Sequence, residues 1–147
     1  MSKFGVYSEV GKLRKVIVHR PGLEMRRLTP SNCKDLLFDD VIWTHKSQQD
    51  HDLFVSLMRN DYGVQVMDVQ TLLAEVLDDA DGRAYVMDRK LTPFDVGVGG
   101  AIELRAWMNE MDSAELASHL IGGLTMGELP DDLWTTSQKA YGVNEFV

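Results

Sequence analysis

The chain has 147 residues, which is enough for one ordinary domain or for one domain and part of another. Its 44% hydrophobic and 26% charged residues are typical of a globular protein, and no apolar stretch reaches the roughly 18 residues that a membrane span requires. The net charge of −8 argues against nucleic acid as a partner, because binding to phosphates requires a basic surface.

The start of the chain and its cysteine content predict a cytoplasmic protein. Residues 1–5, MSKFG, lack the apolar core of a secretory signal. Cys33 is the single cysteine and cannot form an internal disulfide, so a reducing compartment suits it. The composition leaves open whether the chain forms a homo-oligomer.

Charge is distributed unevenly along the chain. Residues 1–69 carry ten Lys/Arg and nine Asp/Glu, a net charge of +1, whereas residues 70–147 carry five and fourteen, a net charge of −9. This asymmetry predicts two structural units that meet near residue 70.

The first half has the pattern of a small α/β unit. Residues 13–19 are β-branched and partly alternating, as in a strand, and Pro21-Gly22 predicts the following turn. The apolar residues 36–38 fit either a brief strand or a loop that enters a pocket. Residues 44–62 contain no helix breaker and predict a helix that Gly63 ends, and residues 64–69 alternate like a second full strand.

The second half has the pattern of a helical bundle. Helices are predicted from about residue 70, over 81–90 and from Thr92-Pro93, where a hydroxyl cap precedes proline. Asp112 with Glu115 resembles a capping box that opens a further helix, which ends at Gly122-Gly123. The apolar residues expected to form the core of this part are Leu104, Trp107, Met108, Met111, Leu116 and Leu120.

The residues that could carry chemistry do not form a complete catalytic set. Cys33 has neither a base nor a cation beside it in sequence, so we interpret it as a structural, partly buried residue. His45 and His51 are six residues apart and point about 120° away from each other around a helix, so they are predicted to lie on a solvated face rather than to share a metal. Arg26-Arg27 is interpreted as surface.

Two further motifs have a functional and a structural interpretation. Asp39-Asp40 is either a carboxylate pair for cation binding or acid–base work, or a strand end at which one aspartate caps the next helix. The glycine-rich residues 97–100 lack the third glycine and the preceding strand of a dinucleotide-binding loop, and they fit a helix junction better.

Seven segments together resemble the bacterial arginine deiminases, in the order in which that family has them. They are residues 8–16 (SEVGKLRKV), 20–22 (RPG), 27–32 (RLTPSN), 36–40 (LLFDD), 88–90 (DRK), 103–107 (ELRAW) and 120–123 (LIGG). The resemblance covers essentially the whole chain. The combination is specific, although the first segment alone is shared with related guanidine-modifying enzymes.

The resemblance implies an α/β fold, a pentein-like propeller of five strand–strand–helix–strand modules with a helical domain inserted after the first. Residues 1–70 would be the first module and residues 71–147 the inserted helical domain. The implied reaction is hydrolysis of L-arginine to L-citrulline and ammonia, in arginine catabolism, by a cysteine thiolate and a histidine proton shuttle, with no cofactor and no metal.

Of the family's active-site positions, the resemblance carries over one residue, Leu37, which would line the substrate pocket. It assigns no role to Asp39 or Asp40, and the family's nucleophile, proton shuttle and substrate clamps would lie beyond Val147. We therefore expect an N-terminal fragment of the enzyme, inactive alone. The alternative is a stand-alone, non-catalytic interaction module of the same fold.

Overall fold

The computed structural model describes residues 5, 6, 8–92, 98–130 and 133. In these residues the chain is a mixed α/β structure with two strands and a series of helices. In chain order the elements are β1 (Lys15–Val18), α1 (Leu23–Arg26), α2 (Thr44–Asn60), β2 (Gln65–Asp68), α3 (Val69–Asp78), α4 (Ala80–Lys90), α5 (Val98–Asn109), α6 (Ser113–Gly122) and a 3-10 turn (Met126–Glu128).

The two strands pair in parallel, with Lys15 opposite Gln65 and Val18 opposite Asp68. Parallel neighbours need a crossover connection, and α2 provides it. The buried side chains of this part form one cluster with the partly buried Val16 and Val18; they are Val55, Met58, Val64 and Val66. The predicted strands at 13–19 and 64–69 and the predicted helix at 44–62 are thus confirmed, each slightly shorter than expected.

The face of α2 that packs on the sheet is narrow. Only Val55 and Met58 of this helix are buried, whereas Leu53, Phe54 and Leu57 are exposed. Gly63 follows the helix with a φ of 62°, in the left-handed region where glycine avoids the steric penalty of a Cβ atom. This conformation turns the chain from α2 into β2, as the sequence predicts.

The interpretation of residues 36–38 as a brief strand is wrong. Residues 30–37 form consecutive turns, in which the N–H of Leu36 donates to the carbonyl of Asn32 at 3.1 Å. A backbone that bonds to itself over four residues cannot offer the same groups to a neighbouring strand. The apolar run therefore belongs to a loop, the second of the two interpretations.

The helices that follow β2 surround a second hydrophobic cluster. Its buried members are Leu77, Met87, Leu104, Met108, Met111, Leu116, Ala117 and Leu124, with Trp107 and Leu120 packed against it and partly buried. The predicted apolar stripe is confirmed. Full burial of a side chain such as Leu116 contributes roughly 1.5–3 kcal/mol.

Aspartate side chains begin three of these helices. Asp68 accepts from the N–H groups of Gln70 and Thr71, Asp79 from Gly82, and Asp112 from Ala114 and Glu115. Each satisfies N–H groups that have no partner within the helix, which is why the helices begin where they do. The part of the predicted capping box in which Asp112 caps the helix is confirmed, whereas no return bond from the Glu115 side chain is seen among the described residues.

The structure describes residues 98–100 of the glycine-rich segment 97–100. α5 begins at Val98, in agreement with a helix junction in this segment. Of the helix start predicted at Thr92-Pro93, Pro93 lies outside the described residues, and so does Gly97. Among the helices that the structure describes, none is long and apolar enough to cross a membrane.

The short helix α1 packs on the end of α6. A Cβ atom added to Gly122 would lie 2.7 Å from Leu23 Cβ, closer than Cβ atoms approach other heavy atoms in proteins, and 3.0 Å from the backbone nitrogen of Glu24. Only glycine allows the two backbones to come this near.

Arg27 stabilises the same contact between α1 and the end of α6. The sequence predicts a surface position for Arg27, and this prediction is wrong, because only 14% of its side chain is exposed. Its guanidinium donates to the carbonyls of Gly122 and Gly123 and to the Glu128 carboxylate. The carbonyls that α6 leaves without an intrahelical partner are thus met by a cation from the start of the chain.

Candidate functional site

The loop that contains Leu37 is built as a helix-ending motif. The N–H of Phe38 donates to the carbonyl of Cys33 at 2.8 Å, and the N–H of Leu37 donates to the carbonyl of Lys34 at 3.1 Å. Leu37 itself has a φ of 63°, in the left-handed region. This pair of bonds defines a Schellman motif, in which the left-handed position is usually glycine. Here it is leucine.

The side chain of Leu37 is 94% exposed, and that of Leu36 is 51% exposed. The structure therefore places this predicted site residue at the tip of the loop, with its isobutyl group in solvent. An exposed leucine can offer apolar contact to a ligand but no charge, proton or nucleophile.

Asp39 and Asp40 follow the loop and are exposed. Asp40 Oδ1 accepts from the N–H of Val41 at 2.7 Å, and the Asp39 carboxylate has no hydrogen bond or ion pair with another described residue. The residue at the start of α2 is Trp43, with no side-chain cap. The interpretation of one aspartate as the cap of this helix is therefore wrong.

Cys33 is buried, with 4% of its surface exposed. Its Sγ lies 3.8 Å from the carbonyl of Pro30, a weak contact within the same loop. The loop is held further by Asn32, which accepts from the N–H of Thr29 at 2.7 Å and donates to the carbonyl of Arg27 at 2.9 Å. The prediction that Cys33 is structural and at least partly buried is confirmed in respect of its burial.

The two histidines of α2 have different surroundings. His45 is exposed and lies near the Trp43 ring, at 6.0 Å between ring centroids, as expected for a solvated face. His51 contradicts the prediction, because only 17% of its side chain is exposed and both ring nitrogens are shielded from solvent. Neither nitrogen has a hydrogen bond within the part of the chain that the structure describes.

His51 lines a cavity of about 620 Å³ beside the strands. The cavity lies where β1 and β2 end, at Val18 and Asp68, and α1, α2, α3 and α6 contribute to its wall. No sequence pattern indicates this cavity, because its walls come from elements far apart in the chain.

Arg20 organises the carboxylates in this cavity. Its side chain donates to both oxygens of Asp52, at 2.8 and 2.9 Å, and its backbone N–H donates to Asp68 at 3.1 Å. The hydrogen bonds from Arg20 lower the pKa of Asp52. Burial by itself would raise the pKa of Asp68, but hydrogen bonds from the N–H groups of Thr71, Arg20 and Gln70 hold it below its ordinary value. Both carboxylates are therefore ionised at neutral pH.

In residues 8–92 and 98–130, no three His, Cys, Asp or Glu side chains are grouped closely enough to hold a metal ion. The described residues thus provide two separate features. One is an exposed apolar loop around Leu37, and the other is the polar cavity at the strand ends.

Comparison with known protein families identifies the chain that carries these features. The sequence model of the arginine deiminase family matches residues 34–145, which include the Leu37 turn, α2, β2 and the helices from α3 to α6. β1 and α1 precede the match. Because the match spans well over half of the 147 residues, the chain belongs to the arginine deiminase family, whose members are hydrolases that act on arginine.

Proposed function

We propose that this chain supplies the N-terminal part of a cytoplasmic arginine deiminase, which hydrolyses L-arginine to L-citrulline and ammonia. The family match over residues 34–145 is the observation that carries the proposal. The order of elements supports it, since a parallel strand–helix–strand unit is followed by helices.

In this proposal residues 1–70 are the first module of a five-module propeller, and residues 71–147 are a helical domain inserted after it. The two hydrophobic clusters support such a division. One lies among Val55, Met58, Val64 and Val66, and the other is formed by residues from Leu77 to Leu124.

Leu37 is the residue that we assign to the substrate pocket. Its side chain is exposed and therefore accessible to a ligand, and its backbone is held in a strained conformation of the kind that clusters at ligand-binding sites. Apolar contact with the methylene groups of arginine is the role that such a side chain can fill.

The chain alone is proposed to be inactive. Attack on the guanidinium carbon requires a thiolate that reaches the substrate, and the single cysteine, Cys33, is buried beneath its own loop. The nucleophile and the proton shuttle would come from the other modules of the enzyme.

A chimeric enzyme tests the proposal. Residues 1–147 are fused to the remaining modules of an active arginine deiminase from which the equivalent segment has been removed, and citrulline formation is measured. The chimera should be active and the isolated chain inactive. Leu37→Ala in the chimera should raise KM for arginine about tenfold or more, the loss typical of a missing apolar contact in a pocket.

Leu53→Ala is the matched control, because Leu53 is an exposed leucine of α2 outside the loop. Equal effects of the two substitutions on KM would show that Leu37 does not line the substrate pocket. Citrulline production by the isolated chain, abolished by Cys33→Ser, would overturn the proposal that this chain is inactive without the other modules. A folded chimera without activity would favour an interaction module.

A further inference from the structure

The cavity at the strand ends lies where ligands bind in open α/β sheets. The crevice beyond the carboxyl ends of parallel strands is the usual ligand position in such folds. Its volume of about 620 Å³ is within the range of small-molecule sites. None of residues 36–40 lines it, so it is separate from the proposed substrate loop.

The acceptors in this cavity are already engaged. Asp52 receives two N–H groups from Arg20, and Asp68 receives the backbone N–H groups of Arg20, Gln70 and Thr71. A cationic ligand would have to compete with these bonds. The carboxylates are therefore part of the wall and not its recognition groups.

The donors, by contrast, are not all engaged. Both ring nitrogens of His51 are shielded and neither has a hydrogen-bond partner among the described residues, since the nearest carboxylate oxygen, of Asp52, is 3.7 Å from Nδ1. Arg26 is exposed and its guanidinium has no partner in the described part of the chain. Arg59 uses one N–H group on the carbonyl of Val66.

The charges of the wall also favour an anion. Three arginines, Arg20, Arg26 and Arg59, line the cavity together with two aspartates, Asp52 and Asp68, which leaves a formal charge of +1 before His51 is counted. This positive excess lies in a chain whose net charge is −8. A shielded polar group without a protein partner needs an explanation, and a bound ion is one that also fits this charge.

We propose that this cavity binds a small oxyanion, a phosphate or a carboxylate, through the Arg26 guanidinium and the His51 ring. Charge-assisted hydrogen bonds from a guanidinium to such oxygens are among the strongest that proteins make. The site is independent of the deiminase reaction, and its occupancy can be measured without any activity.

The experiment is an NMR titration of the full chain, labelled with ¹⁵N, with inorganic phosphate in one arm and acetate in another. Sodium chloride at equal ionic strength is the third arm. Saturable shifts confined to the amides around the cavity, such as those of Gly22, Gln70 and Thr71, are expected with phosphate, acetate or both. Which arm saturates identifies the chemical source of the anion. Shifts no larger than those caused by chloride would overturn the proposal.

Variants decide whether the named donors hold the anion. Arg26→Gln and His51→Gln should each weaken binding roughly tenfold or more, the loss expected for one hydrogen bond to a charged group. Arg14→Gln is the matched control, because Arg14 precedes β1 at the opposite end of the strand, and it should bind within about twofold of the unchanged chain. Arg26 is exposed, so its variant should fold even if the His51 variant does not. Equal affinity in the Arg26 variant and its control would refute the assignment.

Discussion

The backbone of Leu37 is held in a conformation that leucine rarely adopts. It is the one non-glycine residue with a positive φ among those that the structure describes. The left-handed conformation costs a residue with a Cβ atom roughly 1–2 kcal/mol. The two hydrogen bonds that close the turn, together with the buried Cys33 at its base, keep Leu37 in place.

Replacement of Leu37 by glycine should therefore stabilise the fold. We expect the free energy of unfolding to rise by about 0.5–1 kcal/mol, because the strain that is released exceeds the entropy that glycine loses on folding. The exposed side chain contributes no burial that could be lost. Urea denaturation measures the change.

Leu36→Gly is the control for this prediction. Leu36 has no positive φ, so glycine there relieves no strain; it brings its entropic cost and removes a leucine side chain that is only half exposed, and it should lower stability by about 1–2 kcal/mol. A Leu37→Gly variant as destabilised as the Leu36→Gly variant would show that the turn is not strained.

At the scale of elements, the spacing of apolar residues along the chain predicts most of the strands and helices that the structure shows. The strands at Lys15–Val18 and Gln65–Asp68 and the helix Thr44–Asn60 are local patterns, so the sequence could reveal them. The stripe around Leu104 and Met108 was equally visible, because each helix presents its apolar residues to the same core.

What the sequence could not reveal are contacts between distant residues. The turn at Leu37 was missed because its left-handed position lacks the glycine that signals it. Arg27 contacts Glu128, 101 positions away, and His51 lies beside the ion pair of Arg20 and Asp52, whose members are 32 positions apart. The role of Leu37 in a substrate pocket is likewise outside what periodicity can indicate and stays a proposal.

Arg83 joins three helices of the second cluster. Its guanidinium donates to the carbonyls of Leu77, Asn109 and Met111 and to the hydroxyl of Ser113, at 2.8–3.1 Å. These acceptors lie near the ends of α3 and α5 and at the start of α6. One cation thus satisfies carbonyls that the helix ends leave open.

Arg83→Ala should lower the free energy of unfolding by about 2–3 kcal/mol, because several partly buried acceptors lose a charged donor. Thermal and urea denaturation of the variant measure the loss. Arg89→Ala is the comparison, since Arg89 is exposed and lies over the Tyr85 ring, and it should cost under about 1 kcal/mol. Similar losses in the two variants would contradict the joining role of Arg83.

At the scale of the whole molecule, the bond between Arg27 and Glu128 connects the beginning and the end of the described chain. Burial by itself would raise the pKa of Glu128, but hydrogen bonds from Arg27 and Thr125 and the Arg27 charge hold it below its ordinary value of 4.5. A carboxylate with a lowered pKa stabilises the folded state above the pKa of the unfolded chain. That contribution is lost as pH falls through the folded pKa.

We expect the stability of the unchanged chain to fall as the pH drops below about 4.5, and part of this fall to be absent in Glu128→Gln. Denaturation midpoints between pH 7 and pH 3 measure the difference between the two curves. Glu110→Gln serves as control, because Glu110 is exposed and its carboxylate has no partner among the described residues. Parallel curves for Glu128→Gln and the unchanged chain would rule out this link as a source of acid sensitivity.

The contact between Arg27 and the end of α6 also orders events in time during translation. The two partners Arg27 and Glu128 are separated by 101 positions, which a ribosome making 5–20 residues per second needs about 5–20 s to cover. Helices form within about a microsecond. The α2 helix can therefore be complete while the Arg27 guanidinium is still solvated, because the carbonyls of Gly122 and Gly123 have not yet been synthesised. The last segment of the described chain to be synthesised is thus the one that fixes the position of Arg27, near the beginning of the chain.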